Sequence, residues 1–325
     1  MTPEQIQSAI ELESIFTPTA RRRRDEIYPG RDSARFVHYT SSEAALSIIG
    51  SKRLWMRSTT CMADYREVQH GFELINAFFV DTTNRERFSA ALDACSPGIA
   101  KEAIDLFNAW WSDIQFNTYI SSISEHDNKE DFHGRLSMWR AFGGQGARVA
   151  LVFNVPWISP ATPILNVILS PVSYSKREEV HDEINAVIEN IKKRTEFLKS
   201  IDRKILVSQI FNMLVVGVTC LKHEGFREER EWRVLYSPKR APSKVVEQAT
   251  ITIGGVPQIV YKLPLDVTVS DALADLDVSQ IFDRLIIGPS AYAWAQYEAF
   301  VSALTKAGVA LATEKVFISD IPIRS

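Results

Sequence analysis

The segment from Glu229 to Tyr236 restricts the fold more than any other part of this 325-residue chain. Its charged and apolar side chains alternate, and successive side chains of a β-strand point to opposite faces. The pattern therefore predicts a strand with one mainly aromatic face and one charged face. The first face carries Arg230, Trp232, Val234 and Tyr236, and the second carries Glu229, Glu231, Arg233 and Leu235.

The charged face of this strand needs a compensating partner. Two neighbouring carboxylates repel each other and destabilise a sheet unless a cation or a ligand lies close to them. Arg233 could be a structural counter-ion, or the face could bind a ligand that requires anionic groups. In the alternative interpretation the segment is an edge strand, which charge protects against pairing with another chain.

The composition argues against several classes of protein. Hydrophobic residues make up 46% of the chain and charged residues 24%, as in ordinary globular proteins. The net charge of −3 provides no overall attraction to nucleic acid. Three cysteines without a CxxC pair argue against a disulfide framework or a zinc cluster. The polar start and the absence of a long apolar run predict a cytoplasmic protein without signal peptide or membrane contact.

Apolar spacing predicts strands and helices that follow one another without a regular β-α-β order. Strands are predicted at residues 35–40, 54–57, 118–124, 147–154, 164–174, 230–236, 248–253, 258–263, 282–287 and 315–318. Longer helices are predicted at residues 62–79, 176–216 and 291–305, and one or two more at 85–111 with an interruption at Ser96-Pro97-Gly98. This order favours the α+β class, with a twisted, largely antiparallel sheet wrapped by helices. Residues 35–325 are predicted to form one such domain, with helical insertions at 60–116 and 176–217.

Residues 1–34 are predicted to precede this domain as a helix and a basic linker. Apolar residues recur at helical spacing in Pro3–Phe16, and this helix could dock a partner protein or a second copy of the chain. Arg21–Arg24 is predicted to be an exposed connector. Its arginines could contact phosphate, although such runs are usually solvated.

The strand end at His38, Tyr39 and Thr40 is the first candidate binding segment. Ser41 or Ser42 is predicted to cap the helix that follows, and free amides at a helix N-terminus favour anions. His38 and Thr40 could therefore hold a ribose hydroxyl or a phosphate, or His38 could be an ordinary structural histidine.

Further candidates lie in the middle of the chain. Trp139 could stack on a flat ring and Arg140 could bind phosphate or carboxylate; the alternatives are a core tryptophan and a partner for a buried glutamate. The serines of Ser121–Ser124 could support a neighbouring carboxylate through hydrogen bonds. Asp64 and Glu67 have the spacing of a helix cap. The histidines and aspartates of residues 126–133 lack metal-ligand spacing, so no metal site is predicted.

Five segments in this order resemble a widespread bacterial family described only as a domain of unknown function. They are His38-Tyr39-Thr40, Met62-Ala63-Asp64 with Glu67, Ser137-Met138-Trp139-Arg140, Gly225-Phe226 with Glu228–Arg233, and Ile286-Ile287-Gly288-Pro289. The likeness extends from Arg35 to Pro289, and it implies no settled activity.

A histidine on the first strand, a central aromatic or hydroxyl element and a late-strand glutamate are similar to the ordered triad of ADP-ribosyltransferases. This resemblance implies a split antiparallel sheet with an NAD cleft between its halves. It further implies that His38 contacts the nicotinamide-side ribose and that Trp139 or Tyr39 packs on nicotinamide. Glu231 would bind a ribose hydroxyl, and Glu229 would orient or deprotonate the acceptor. Arg140 or Arg233 could hold the pyrophosphate through forked hydrogen bonds.

The resulting hypothesis is an NAD-dependent ADP-ribosyltransferase-like enzyme or NAD glycohydrolase. By analogy it would be a toxin or an anti-phage defence effector, with nucleic acid or protein as the acceptor. One alternative is a non-enzymatic module that senses a nucleotide or a phage component. Another is a nucleic-acid-processing enzyme that holds a divalent ion with Asp64, Glu229 and Glu231.

Overall fold

A computed structural model describes residues 2–61, 67–141 and 147–322 of the chain. Its internal contacts divide the chain into two compact units. Unit 1 comprises Met1–Ile27, Ser58–Thr118 and Ser170–Arg227, and unit 2 comprises Tyr28–Arg57, Tyr119–Leu169 and Glu228–Ser325. The N-terminal segment and both predicted helical insertions therefore contribute to the same unit.

Helices and strands alternate irregularly along the chain. The helices are α1 Pro3–Phe16, α2 Pro18–Ile27, α3 Ser42–Ser51, α4 Glu67–Phe79, α5 Thr82–Asp93, α6 Ile99–Phe116, α7 Leu136–Ala141, α8 Thr162–Leu165, α9 Arg177–Lys193, α10 Thr195–Ser200, α11 Arg203–Thr219, α12 Val278–Ile281 and α13 Ala293–Lys306. The strands are β1 Ser33–Ser41, β2 Arg53–Ser58, β3 Tyr119–Glu125, β4 Arg148–Pro156, β5 Val167–Pro171, β6 Ser173–Tyr174, β7 Leu221–Lys222, β8 Glu231–Tyr236, β9 Glu247–Ile253, β10 Val256–Pro264, β11 Phe282–Ile287 and β12 Val316–Ile318.

Unit 2 is built on a ten-stranded sheet. Its main path runs β12-β11-β4-β1-β3-β2-β10-β9, while β8 pairs with β3 and β5. The pairs β1–β4, β4–β11, β3–β8, β2–β10 and β9–β10 are antiparallel, and β11–β12 is parallel. The α+β class with a mostly antiparallel sheet is therefore confirmed.

Strand β1 forms registers of very different length with its two neighbours. Its register with β4 extends over nine residue pairs, from Ser33 to Ser41. Its register with β3 covers two pairs, Phe36 with Glu125 and Val37 with Ser124. The described ladder between β1 and β3 thus stops immediately before His38.

The two faces of this sheet are covered by different elements. One face packs on α3, α12 and α13 in the larger core, which includes Ile48, Leu151 and Phe300. On the other face, Trp139 of α7 packs in a smaller cluster with Tyr39. Alternation along each strand explains the division, because neighbouring residues enter opposite cores.

Unit 1 is mainly helical, and its N-terminal helix is part of the core. Leu12, Ile15 and Phe16 of α1 are buried in a cluster with residues of α5 and α9. Pro3–Phe16 has the predicted bounds, but its apolar side packs against other helices of the same unit. That packing argues against the expected role of this side in docking a partner.

The basic segment after α1 is a helix, so the prediction of an exposed connector is wrong. Arg21 is buried and pairs with Glu13 and Asp25, and Arg24 also pairs with Glu13. These carboxylates lie at helical spacing from the arginines or on the adjacent helix, and they neutralise charge that was expected to be solvated.

Two other predicted boundaries differ from the structure. The strand expected over residues 164–174 is instead the end of α8 followed by β5 and β6. Pro163 in the first turn favours a short helix, and Asn166 ends it with a left-handed backbone (φ 52°). The helix expected over 176–216 is interrupted, because Asp202 caps a new helix, α11.

Among the residues that the structure describes, no helix has the length and apolarity needed to cross a membrane.

Candidate functional site

Strand β8 begins at Glu231 and lies inside the sheet. All six of its residues are buried, and it pairs with β3 on one side and β5 on the other. The edge-strand interpretation is therefore wrong. The strand begins one residue after the predicted start at Arg230. The expectation that Glu229 shares its charged face is wrong, because Glu229 ends a 3₁₀ helix and Arg230 has a left-handed backbone (φ 46°).

Glu231 and Arg233 form a buried ion pair on β8. Arg233 donates from Nε to Glu231 Oε1 at 2.9 Å and from Nη2 to Oε2 at 3.2 Å. Their side chains are 5% and 1% exposed, respectively. Strand alternation brings these two side chains to the same face, as predicted, and Arg233 is the counter-ion that this face requires.

A serine of β3 completes the environment of this carboxylate. Ser122 Oγ donates to Glu231 Oε1 at 2.5 Å, a short charge-assisted hydrogen bond. The register explains the contact, because Ser124 lies opposite Glu231 and Ser122 lies opposite Arg233. The prediction that the serine row supports a neighbouring carboxylate is confirmed.

His38 contacts the same serine through its main chain. Its Nδ1 lies 2.8 Å from Ser122 O. A carbonyl only accepts hydrogen bonds, so we assign the proton to Nδ1, and Nε2 keeps its lone pair in the neutral ring. Burial lowers the pKa of His38 below its ordinary value, although the bond to Ser122 acts in the opposite direction. The imidazole is therefore neutral at pH 7.

Ser122 contacts both the histidine and the glutamate, through different atoms, at the point where β1 and β3 separate. His38 contacts its carbonyl, and Glu231 contacts its hydroxyl. Alternation along β1 places His38 with Phe36, on the face opposite Tyr39. The registers place Glu231 opposite Ser124 and Ser124 opposite Val37, so the carboxylate belongs to the face of Val37. The imidazole and the carboxylate are thus on opposite faces of the sheet and are linked through Ser122.

The aromatic candidates lie in the core. Trp139 is 4% exposed, packs edge-to-face against Tyr39 at 4.9 Å, and donates from Nε1 to His133 O at 2.7 Å. A Cβ at Gly288 would lie 3.0 Å from the indole ring, so the main chain at Gly288 also packs closely against this ring. Tyr39 is 5% exposed, and its hydroxyl accepts from the Arg135 amide at 2.8 Å. The structure contradicts the expectation that either ring offers a face to nicotinamide.

The remaining candidates are dispersed. Arg140 is exposed at the end of α7, so Arg233 is the inward-facing arginine of the two. Thr40 is partly exposed opposite Val149, and the Oγ of the next residue, Ser41, caps α3 at the amide of Ala44. Glu229 is partly exposed and does not share a strand with Glu231. Asp64 lies outside the described residues, so its expected role in a cap or metal site has no structural outcome.

The sequence does not reveal Arg135, which makes several contacts in this region. Its guanidinium donates to the side chain of Glu130 and to the carbonyls of Glu125, Glu228 and Glu229. Three of these partners are main-chain carbonyls, and two of them lie more than 90 residues away in sequence, so no local pattern could have indicated them.

A second charged cluster surrounds Arg35. Arg35 Nη2 lies 2.6 Å from Asp131 and 2.7 Å from Asp283, while His126 Nε2 lies 2.9 Å from Asp131. Burial would raise the pKa of Asp131, but its hydrogen bonds to Arg35 and His126 outweigh this effect and lower it. Salt bridges thus give these charged residues a structural role. In the described ranges, no group of His, Cys, Asp or Glu side chains could hold a metal ion.

Comparison with known proteins adds one similarity. Residues 138–234 match the family described as protein of unknown function (DUF2971). This span holds Trp139, Glu231 and Arg233, whereas His38 and Ser122 lie before it. The match supports the predicted likeness to a family of unknown function over this part of the chain. No curated protein and no solved structure matches the chain.

Proposed function

We propose that this protein cleaves the bond between nicotinamide and ribose in NAD and transfers the ADP-ribosyl group to an acceptor or to water. The observation that carries the proposal is the contact of His38 and Glu231 with Ser122, where β1 and β3 separate. These three residues come from three strands, and the two contacts are 2.8 Å for His38 and 2.5 Å for Glu231. The arrangement is consistent with the implied split sheet.

The proposed reaction needs a fixed anion near the ribose. When the C1′–N bond breaks, its electron pair leaves with nicotinamide and positive charge develops on the sugar. Glu231 would stabilise this charge, because Arg233 and Ser122 hold its carboxylate in one orientation. An acceptor oxygen then bonds to C1′ and releases its proton to a base, a role proposed for Glu229.

His38 would act by binding and not by transferring a proton to the leaving group. With the proton on Nδ1, its Nε2 can accept a hydrogen bond from a ribose hydroxyl. Arg233 is committed to Glu231, so the structure favours its role as counter-ion over pyrophosphate binding. Consumption of NAD would suit a toxin or an anti-phage effector, and the acceptor would be a nucleic acid or a protein.

The test is release of nicotinamide from NAD by the purified full chain. Glu231→Gln keeps the size of the side chain but removes its charge, and we expect turnover to fall about 100-fold or more. Glu298→Gln is the matched control, since Glu298 is exposed on α13. Metal-independent turnover is expected. Equal turnover by wild type and Glu231→Gln would contradict the role of Glu231, and no turnover by wild type would contradict the activity.

A nucleotide-sensing module is the second candidate function. It is favoured by the nearly complete burial of Glu231 and Arg233, which is typical of a rigid structural pair. In that case a nucleotide should raise the melting temperature without product formation. Thermal stabilisation by NAD with no release of nicotinamide over hours would support this second candidate and exclude the first.

A further inference from the structure

The turn before strand β8 determines where Glu231 enters the sheet. The chain leaves a 3₁₀ helix at Glu229, passes through Arg230 with φ 46°, and begins the strand at Glu231. A left-handed backbone at a residue other than glycine costs about 1–3 kcal/mol and persists only where its surroundings hold it. Some other part of the structure must therefore stabilise this turn.

Arg135 uses all five of its N–H donors in this region, and two of its bonds go to the turn itself. Nη1 donates to the carbonyls of Glu228 and Glu229 at 2.9 and 3.0 Å, and Nη2 donates to Glu125 O at 2.7 Å. Nε and Nη2 also form a fork on Glu130, at 3.0 and 3.2 Å. The side chain is only 10% exposed, so water can replace few of these contacts.

Glu130 links this arginine to the left-handed residue itself. Its carboxylate accepts from Arg135 and also from Arg230, and it is 12% exposed. The amide of Glu125 donates to the carbonyl of Arg230 at 3.0 Å, which joins the same turn to the end of β3. The loop, the turn and β3 are thus connected through one guanidinium–carboxylate pair.

The main chain of Arg135 reaches the other side of the candidate site. Its amide donates to the hydroxyl of Tyr39 at 2.8 Å, and Tyr39 directly follows His38 on β1. One residue therefore contacts both the strand that carries the histidine and the turn that leads to the glutamate.

We propose that Arg135 is a positioning residue for Glu231 and fixes the carboxylate in register with Ser122 and His38. The expected effect on catalysis rests on the proposed function, whereas the expected effect on the structure around Glu231 can be measured separately. Arg135→Lys keeps one cation and loses the fork, so it cannot hold all of these acceptors. Misplacement of a reacting group by about 1 Å typically reduces catalysis about 100-fold.

The catalytic test compares kcat and KM for NAD. Arg135→Lys should lower kcat about 10- to 100-fold and change KM less than about threefold. Arg203→Lys is the matched control, because Arg203 of unit 1 also combines a carboxylate fork with a bond to a backbone carbonyl. In the Glu231→Gln background, Arg135→Lys should have no further effect. An equal reduction in both backgrounds, or an unchanged kcat, would overturn the proposal.

A second measurement needs no activity. In ¹³C NMR of the resting protein, the Glu231 carboxyl resonance should shift in Arg135→Lys, and the Glu125 amide should exchange faster with solvent. An unmoved resonance together with unchanged exchange would overturn the positioning role. If wild type releases no nicotinamide, the proposed function fails, and these two spectra still decide the role of Arg135.

Discussion

Replacing Arg233 by methionine tests whether the pair with Glu231 is as buried as the structure indicates. Methionine fills much of the space of the arginine stem but removes the cation and its hydrogen bonds to Glu231, at 2.9 and 3.2 Å. Ser122 continues to donate to the carboxylate. Removal of one partner from a buried ion pair costs about 3–5 kcal/mol, because the other charge stays buried. We therefore expect a loss of this size in the free energy of opening of β8.

The assay is native-state hydrogen exchange at the β8 amides, which reports this strand even if the two units unfold separately. The double variant Glu231→Gln/Arg233→Met should recover much of the loss, because the Glu231 charge is removed together with its cation. Arg203→Met is the control and should cost less than about 1 kcal/mol, since Arg203 is 43% exposed. A cost below about 1 kcal/mol for Arg233→Met, or no recovery in the double variant, would refute this reasoning.

Three further predictions concern packing, titration and the serine. Gly71→Ala should lower the melting temperature, because its Cβ would lie 2.5 Å from Val218 O, whereas Gly50→Ala, also helical but with open space, should raise it slightly. Burial lowers the pKa of His38, so the neutral ring contributes fully to stability above about pH 6.5, and this contribution is lost as the pH falls. The variant His38→Gln should therefore have a melting temperature that is less sensitive to acid. Ser122→Ala should destabilise the protein by about 1.5–3 kcal/mol in urea unfolding and lower kcat, and unchanged values would argue against its link to Glu231.

Regular elements could be predicted well where local signals agree. Pro3–Phe16 and Phe282–Ile287 have the predicted bounds, and the hairpin at Gly254 and Gly255 lies where its glycines indicate. Both glycines have positive φ, which explains why this signal is strong. Apolar periodicity and turn glycines are local properties, so they can be read from sequence.

The candidate site could be predicted only in part. Alternation along β8 was sufficient to pair Glu231 with Arg233, because both lie on one strand. It failed at Glu229, since the next residue, Arg230, has a left-handed backbone and the turn is contacted by Arg135, which is distant in sequence. Tryptophan is a residue type that can stack on flat rings, but the burial of Trp139 depends on tertiary packing that no local pattern specifies.

The most direct test of the central claim is ¹⁵N NMR of the His38 imidazole with a non-hydrolysable NAD analogue. The free protein should show a neutral ring with its proton on Nδ1, as the bond to Ser122 O requires. Addition of the analogue should shift the Nε2 resonance of wild type, and the shift should weaken in Ser122→Ala. An Nε2 resonance that does not respond to saturating analogue would contradict the account.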